Sequence, residues 1–517
     1  MATTQTKKLH GRAFYESIGS PKMILAPMVD RSEFAWRMLS RSYLPKESSK
    51  DLLAYSPMLH ARLFQEGAKF RDEHFQPTRS SLILKEPSDE PRWLDGNPEI
   101  DRPLFVQFCA NKPEQFLEAA EYAAPYCDAV DLNLGCPQGI ARSGQYGAFL
   151  QEDWDTISAL IKRLHQNLSV PVTAKMRILE TKEKTLDYAK MILSAGASIL
   201  TVHGRRREQK GHNTGLADWS ILRYLRENLP PETVLFANGN ILNHDDLKTC
   251  LEATGFDGVM SAEANLADPT VFAGPPSDPD SREYWQGADG KGGYRIDGVF
   301  RRYLDIIYRY VLEQEPPQRA PLYLPGDDTP EIQVPELQES TEQQGKSKKR
   351  KRDRGVAASP NLRPMQGHLF GMLRSVVSVN TDIRDALAKC RVGEMANFER
   401  VLLILEKAVR KALDEEAAEP EKETAAPSEY AQSEETLTAT QKTLAKYGRP
   451  WWVCQPHVRP SPEEALAKGS LKLRKKAAAE AESEKRLKQS DEPLHREEKP
   501  EVVDTVNQVP KAAVVCG

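Results

Sequence analysis

A closed TIM-type (β/α)8 barrel is the fold that the first 280 residues of this chain predict, followed by a small all-α domain set among charged, disordered segments. Three observations carry that reading. Eight short strand-like runs recur between Met23 and Glu263, with helical patterns between them. Strands alternating with helices imply parallel βαβ units. Eight such units in roughly 250 residues suit a barrel better than an open doubly wound sheet.

Residues 1–20 open the chain as a polar tail without the apolar stretch of a signal peptide. The strand-like runs are Met23–Met28, Leu52–Met58, Leu104–Phe108, Ala129–Gly135, Val170–Arg177, Ile199–Gly204, Val234–Asn240 and Gly258–Glu263. Helices are expected at Lys112–Tyr122, Trp154–Leu168 and Thr185–Ala195, the last followed by Gly196 at the C′ position. The barrel domain is thus expected over residues 21–280. Its one long interruption, residues 79–102, is polar and Pro-rich and reads as an inserted surface loop.

Length and composition bound the rest. A chain of 517 residues exceeds one ordinary core. Hydrophobic residues make up 39% and charged ones 28%, and the net charge of −4 hides blocks of opposite sign. Seven cysteines without regular spacing, and no CxxC pair, argue against a disulfide framework or a zinc site. That usage points to a reducing compartment, nucleus or cytoplasm. No run approaches 18 continuous apolar residues, so neither a membrane span nor a membrane partner is expected.

Beyond the barrel, Val299, Phe300, Tyr303, Ile307 and Tyr310 recur at helical spacing, on an element that also carries Arg301, Arg302 and Arg309. Helical periodicity returns at Met365–Val377, Asp382–Cys390 and Glu394–Leu413, so residues 296–314 and 362–415 form the expected helical domain. Between them, 316–361 is rich in Pro, Glu and Gln and then strongly basic, and reads as disordered. Its run Gly345–Arg354 fits either nuclear localisation or electrostatic capture of RNA. From 416 onward the chain is of low complexity. Residues 447–460, with Tyr447, Trp451 and Trp452 among cations, either dock on the barrel or stack on RNA.

The active face of such a barrel collects side chains from the carboxyl ends of its strands. Those ends offer Pro27-Met28-Val29, Gln107, Asn133 with Cys136, Lys175 with Arg177, His203 with Arg205, Asn238-Gly239-Asn240 and Ser261-Ala262-Glu263. Singly, each has an ordinary reading: lysines are usually solvated, and free cysteines are usually core residues. Together, a cation, an imidazole, amides, an arginine and a thiol at one mouth make a ligand site. Loops after strands seven and eight of many barrels cradle phosphate. Neither GxGxxG nor GxxxxGK[ST] occurs, which disfavours a tightly held dinucleotide or triphosphate. A mononucleotide fits better, and flavin mononucleotide (FMN) is the commonest on this fold.

Five segments then stand out: Ala26-Pro27-Met28-Val29-Asp30, Asp131-Leu132-Asn133-Leu134-Gly135-Cys136-Pro137, Lys175-Met176-Arg177, Val202-His203-Gly204-Arg205 and Ala237-Asn238-Gly239-Asn240. In this order, over residues 20–275, they resemble the tRNA-dihydrouridine synthases. Trp36-Arg37, Gln107–Asn111 and Ser261–Glu263 resemble the eukaryotic branch that acts on D-loop positions 16 and 17. The resemblance implies flavin-dependent reduction of tRNA uridine to 5,6-dihydrouridine, with NADPH or NADH as reductant. It implies flavin contacts from Pro27, Met28, Val29, Gln107, Lys175, His203, Asn238, Gly239, Asn240, Ala262 and Glu263. Asn133, Arg177 and Arg205 would hold the uracil. Cys136 would protonate C5 after the reduced flavin delivers hydride to C6. A thiol of pKa about 8.5 suits that step, being protonated near neutrality yet able to transfer. Lys175 near the flavin N1/C2 carbonyl would stabilise the anionic reduced ring.

One departure stands out. Many relatives end the eighth strand with Gly-Arg, whose arginine meets the flavin phosphate. This chain reads Met260-Ser261-Ala262-Glu263, so Glu263 is expected to contribute only its backbone. By the same resemblance the helical domain faces tRNA, with Arg363, Arg374, Arg384, Lys389 and Arg391 as candidate phosphate contacts.

Two other functions remain open on the sequence: an FMN barrel acting on a free pyrimidine, and an RNA-binding protein whose barrel has lost catalysis. The basic helical domain and the NLGCP segment weigh against the first. Intact Cys136, Lys175 and His203 weigh against the second.

Overall fold

The computed structural model describes residues 8–79, 90–278, 280–335, 359–418, 438–461 and 464. The chain up to Arg207 together with Leu216–Arg459 forms one compact unit, which holds the barrel and the helical domain. A second unit comprises Glu208–Gly215 and the residues from Pro460 on.

Eight parallel strands close on themselves: β1 (Met23–Leu25), β2 (Leu52–Tyr55), β4 (Leu104–Cys109), β5 (Ala129–Leu134), β6 (Val172–Arg177), β7 (Leu200–His203), β8 (Leu235–Asn238) and β9 (Gly258–Ser261). Closure comes from Met23 pairing with Val259 on one side and Ala54 with Leu104 on the other. A two-residue strand, β3 (Leu59–His60), adds to the end of β4 and escaped the sequence reading because it is too short to show a period.

The two-residue period of each strand sorts side chains between the two faces. Leu25, Ala54, Val106, Leu132, Ala174 and Val202 pack outward under the helices. Ile24, Leu53, Phe105, Ile199 and Phe236 fill the lower interior, and Phe14 and Tyr15 plug it from below. Full burial of an aliphatic or aromatic side chain contributes roughly 1.5–3 kcal/mol, so this layer anchors the floor of the site. Phe14 and Tyr15 belong to the helix Gly11–Ser17, which the expected tail over residues 1–20 did not foresee; residues 1–7 lie outside the described residues. Two apolar residues in a polar stretch give no pattern of their own, and only the open end of the barrel buries them.

The stretch 79–102 also differs from expectation. Residues 80–89 lie outside the described residues. After them, Asp95 and Asp101 turn inward and are buried around Arg37, which is 0% exposed. Arg37 donates from Nη2 to Asp95 at 2.7 Å and from Nε to Asp101 at 3.0 Å. The polar residues that suggested a surface loop are here a buried charge network.

After a hairpin (Tyr284–Gln286 and Gly292–Tyr294) come the helix Ile296–Ile306, widened over Ile307–Val311, and then Met365–Met372, Arg374–Val379, Thr381–Ala388 and Met395–Ala418. Phe398, Val401, Leu402, Leu405 and Val409 bury one face of the last helix. The barrel meets these helices through Trp36, whose ring lies 4.5 Å from that of His368 and whose Nε1 donates to Asn265 at 2.7 Å.

Residues 316–335, expected as disordered, run along the Met395–Ala418 helix without helix or strand. Arg319 bonds Glu399 at 2.7 Å, Lys407 reaches Glu331 at 2.8 Å, and Arg410 donates to the Pro330 carbonyl at 2.9 Å. Order here comes from side chains distant in sequence, which no local pattern reveals. The basic run 345–354 and residues 419–437 and 465–517 lie outside the described residues. Within 447–460, Val453 and Cys454 are fully buried. Among the described residues, no helix is long and apolar enough to cross a membrane, and no group of side chains is arranged to hold a metal ion.

Candidate active site at the barrel mouth

The upper interior is polar, and its hydrogen bonds climb toward the mouth. On β5, Asp131 accepts from Thr173 Oγ1 at 2.6 Å and from Gln107 Nε2 at 2.8 Å. Gln107 Oε1 in turn accepts from Asn133 Nδ2 at 2.8 Å. Asn133 Oδ1 then accepts the backbone N–H groups of Gly135 (3.0 Å) and Cys136 (2.9 Å). The amides of Gln107 and Asn133 thus each have a partner within the chain at both ends. Gln107 lies buried beneath the mouth, and Asn133 shapes the turn that carries Cys136.

Cys136 sits half-buried on that turn, beside Cys109 and Tyr146. Its carbonyl accepts the Ala148 N–H at 3.1 Å. Gly147, at φ +64°, makes this approach possible, because a Cβ there would lie 2.9 Å from the Cys136 carbonyl oxygen. Arg177 braces the turn from the other side, donating from Nε to the Gly135 carbonyl at 2.7 Å and from Nη1 to Arg206 O at 3.1 Å.

Cations gather across the mouth. Lys175 Nζ donates to Asn238 Oδ1 at 2.8 Å, and Asn238 Nδ2 donates to Met260 O at 3.0 Å. Arg205 reaches His203 Nε2 at 3.0 Å and Asn240 Oδ1 at 2.8 Å. A guanidinium can only donate, so His203 Nε2 accepts and its proton sits on Nδ1. Burial first, then Arg177, Lys175, Arg205 and Arg459, hold this imidazole well below its usual pKa. Burial and then Arg177 bring the Lys175 ammonium down to about 7. Burial, then Arg459 and Arg177, bring Arg205 down to about 9. Asp131 moves the other way, burial raising it to about 6.

Gly239 and Asn240 turn the chain after β8 with φ +109° and +62°. A Cβ on Gly239 would stand 2.7 Å from Ala217 Cβ and 3.1 Å from His203, so this tight turn requires glycine. Pro27 and Met28 are half-buried after β1, whereas Val29 is 56% exposed. Ala262 and Glu263 follow β9, and Glu263 is ion-paired with Arg459. A flavin mononucleotide fits this donor set. Positive groups that depress one another's protonation are relieved by an anion, and the mouth is rich in N–H donors. Sequence reasoning missed Asp131 and Thr173, whose inward strand positions were the available signal, and also Arg459, for which no local signal exists.

Residues 24–284 match the dihydrouridine synthase (Dus) family. Similar relatives include the tRNA-dihydrouridine(16/17) synthase, NAD(P)(+), of Schizosaccharomyces pombe, 42% identical over 456 residues that cover 88% of this chain and 92% of that protein. The protein of the same name in Saccharomyces cerevisiae is 41% identical over 455 residues, covering 88% and 87%. A protein named as like it in Rattus norvegicus is 35% identical over 478 residues, covering 92% and 83%. With the barrel matched from β1 to the start of the hairpin, and such relatives aligned along most of its length, this chain belongs to the dihydrouridine synthase family.

Proposed function

We propose that this protein reduces uridine to 5,6-dihydrouridine in the D-loop of tRNA, at position 16, 17 or both, using FMN and NADPH or NADH. The observation that carries this reading is a thiol, Cys136, held on a braced turn at a mouth crowded with positive groups. The names of the relatives point to the same substrate and to a nicotinamide reductant.

When bound, reduced FMN supplies the hydride that goes to C6 of the pyrimidine. Cys136 holds the proton that C5 requires. Asn133 fixes the thiol's loop through two backbone N–H groups, an arrangement that keeps the donor near its line of transfer. Lys175 and Arg177 face developing negative charge from within a partly buried site, where such charges act more strongly than in water. His203 enters as a neutral imidazole, its Nδ1–H available as a donor. Arg363, Arg374, Arg384, Lys389 and Arg391 are all exposed on the helical domain and suit contact with tRNA phosphates.

The test has two arms. Purified protein is expected to show flavin absorbance, and tRNA from cells lacking the gene is expected to lose dihydrouridine at position 16, 17 or both. An unchanged D-loop with loss of a free dihydropyrimidine would favour the small-substrate barrel and overturn this function. Localisation to the nucleus, cytoplasm or both is part of the proposal, and removing residues 346–354 tests the nuclear part. Unaltered distribution would leave that run to RNA.

A further inference from the structure

Strand β9 ends at Ser261 and is followed by Ala262-Glu263, so the rim where barrels commonly bind phosphate carries a carboxylate from its own strand. The positive charge at that rim comes from elsewhere. The segment after Tyr447 is tied to the unit at three places by backbone hydrogen bonds. Ile296 N donates to Trp452 O at 2.9 Å, Cys454 N to Tyr294 O at 2.9 Å, and His457 N to Leu242 O, in the loop after β8, at 2.9 Å. This path ends at Arg459, whose guanidinium ion-pairs with Glu263.

The setting of Arg459 is not that of a surface ion pair. Its side chain is only 11% exposed, against 55% for Glu263. Its Nε is buried without a hydrogen-bond partner in the described structure. Arg205 and His203 lie within its electrostatic reach: burial lowers the pKa of both, and the Arg459 charge adds to that lowering. His457, from the same segment, stands 3.6 Å from Glu263. Arg205 and Arg459 thus come within electrostatic reach of each other at the ends of β7 to β9, and Arg459, beside Glu263, keeps a buried donor without a hydrogen-bond partner.

We propose that the C-terminal segment completes the cofactor pocket, with Arg459 binding the phosphate of the flavin mononucleotide at the β8–β9 rim. The proposal rests on the function given above. A small dianion suits the site better than an RNA backbone, because so little of the Arg459 side chain is accessible from outside. Glu263 keeps the guanidinium in place before the cofactor arrives and shares it afterwards. Flavin binding and docking of residues 449–459 thereby stabilise each other.

The experiment compares FMN with riboflavin, which has the same ring system but no phosphate. Flavin-free full-length protein is titrated with each, as the unaltered chain, Arg459→Ala and Arg459→Lys. The expected result is FMN affinity about tenfold or more weaker in Arg459→Ala, the scale of one charge-assisted contact, with riboflavin affinity unchanged and part of the loss restored in Arg459→Lys. Unchanged riboflavin binding also certifies that the variant is folded. Equal weakening of both ligands would make Arg459 a fastener of its segment and overturn the proposal. Unchanged FMN affinity with weakened tRNA binding would assign Arg459 to RNA and overturn it as well. Failure of the unaltered chain to bind FMN would overturn the underlying function, and this inference with it.

Discussion

Arg37 and Arg205 are both buried arginines of one barrel, 0% and 4% exposed, and the chain treats them in opposite ways. Arg37 lies between Asp95 and Asp101, and those carboxylates hold its proton more firmly than usual despite full burial. Arg205 keeps company with Arg177 and Arg459, donates to the neutral groups His203 and Asn240, and is pushed down to about 9. The first arrangement is complete as it stands and locks the inserted segment to the barrel wall. The second gathers like charges that weaken one another's hold on a proton, and such perturbed groups in a cleft are the mark of a site.

Breaking each side of this contrast should have distinct consequences. Cys136→Ala removes the proposed proton donor and leaves the mouth's charges alone. Turnover should fall by ~2 to 4 decades with flavin content unchanged. Single-turnover assays on flavin-loaded protein measure it, and loss of the yellow colour in place of rate would refute the role. Asp101→Ala strikes the satisfied network, stranding a charge on Arg37. A loss of about 3–5 kcal/mol in unfolding free energy is expected in urea titrations, and less than about 1 kcal/mol would mean that the network is not structural. Asn133→Ala lies between the two, because it frees the Gly135 and Cys136 N–H groups that shape the turn carrying the proposed proton donor. Turnover should drop roughly 10- to 100-fold through misplacement of the thiol, with a stability cost of only ~1–2 kcal/mol. An undiminished rate would show that Gly147 and Arg177 hold the turn unaided.

The barrel was legible because its signals are local. Apolar runs such as Ala129–Gly135, each closed by turn residues, place the strand ends within a few positions, and the strand ends name the mouth. Lys175, His203, Asn238 and Cys136 followed directly. The parts that stayed hidden depend on distant partners. Asp95 and Asp101 look like loop residues until Arg37 is folded against them. Arg319 and Glu331 sit in a Pro-rich stretch whose order is imposed by the helix Met395–Ala418. The chain of hydrogen bonds from Asp131 through Gln107 and Asn133 to the Cys136 turn was also hidden, because polarity at a strand end does not reveal which neighbours it will bond. Arg459 reaches the rim from the far end of the described chain, with only the mismatch at Ala262-Glu263 to hint that another cation was needed.

The charge contrast is tested most directly through Lys175. Burial and then Arg177 bring its ammonium down to about 7, and an anionic ligand beside it must raise that value. Binding then takes up a proton above pH 7, so FMN affinity should weaken by up to about tenfold per pH unit between 7 and 9, and Lys175→Met should flatten the dependence. Affinity that holds constant or strengthens over that range in the unaltered protein would contradict the account.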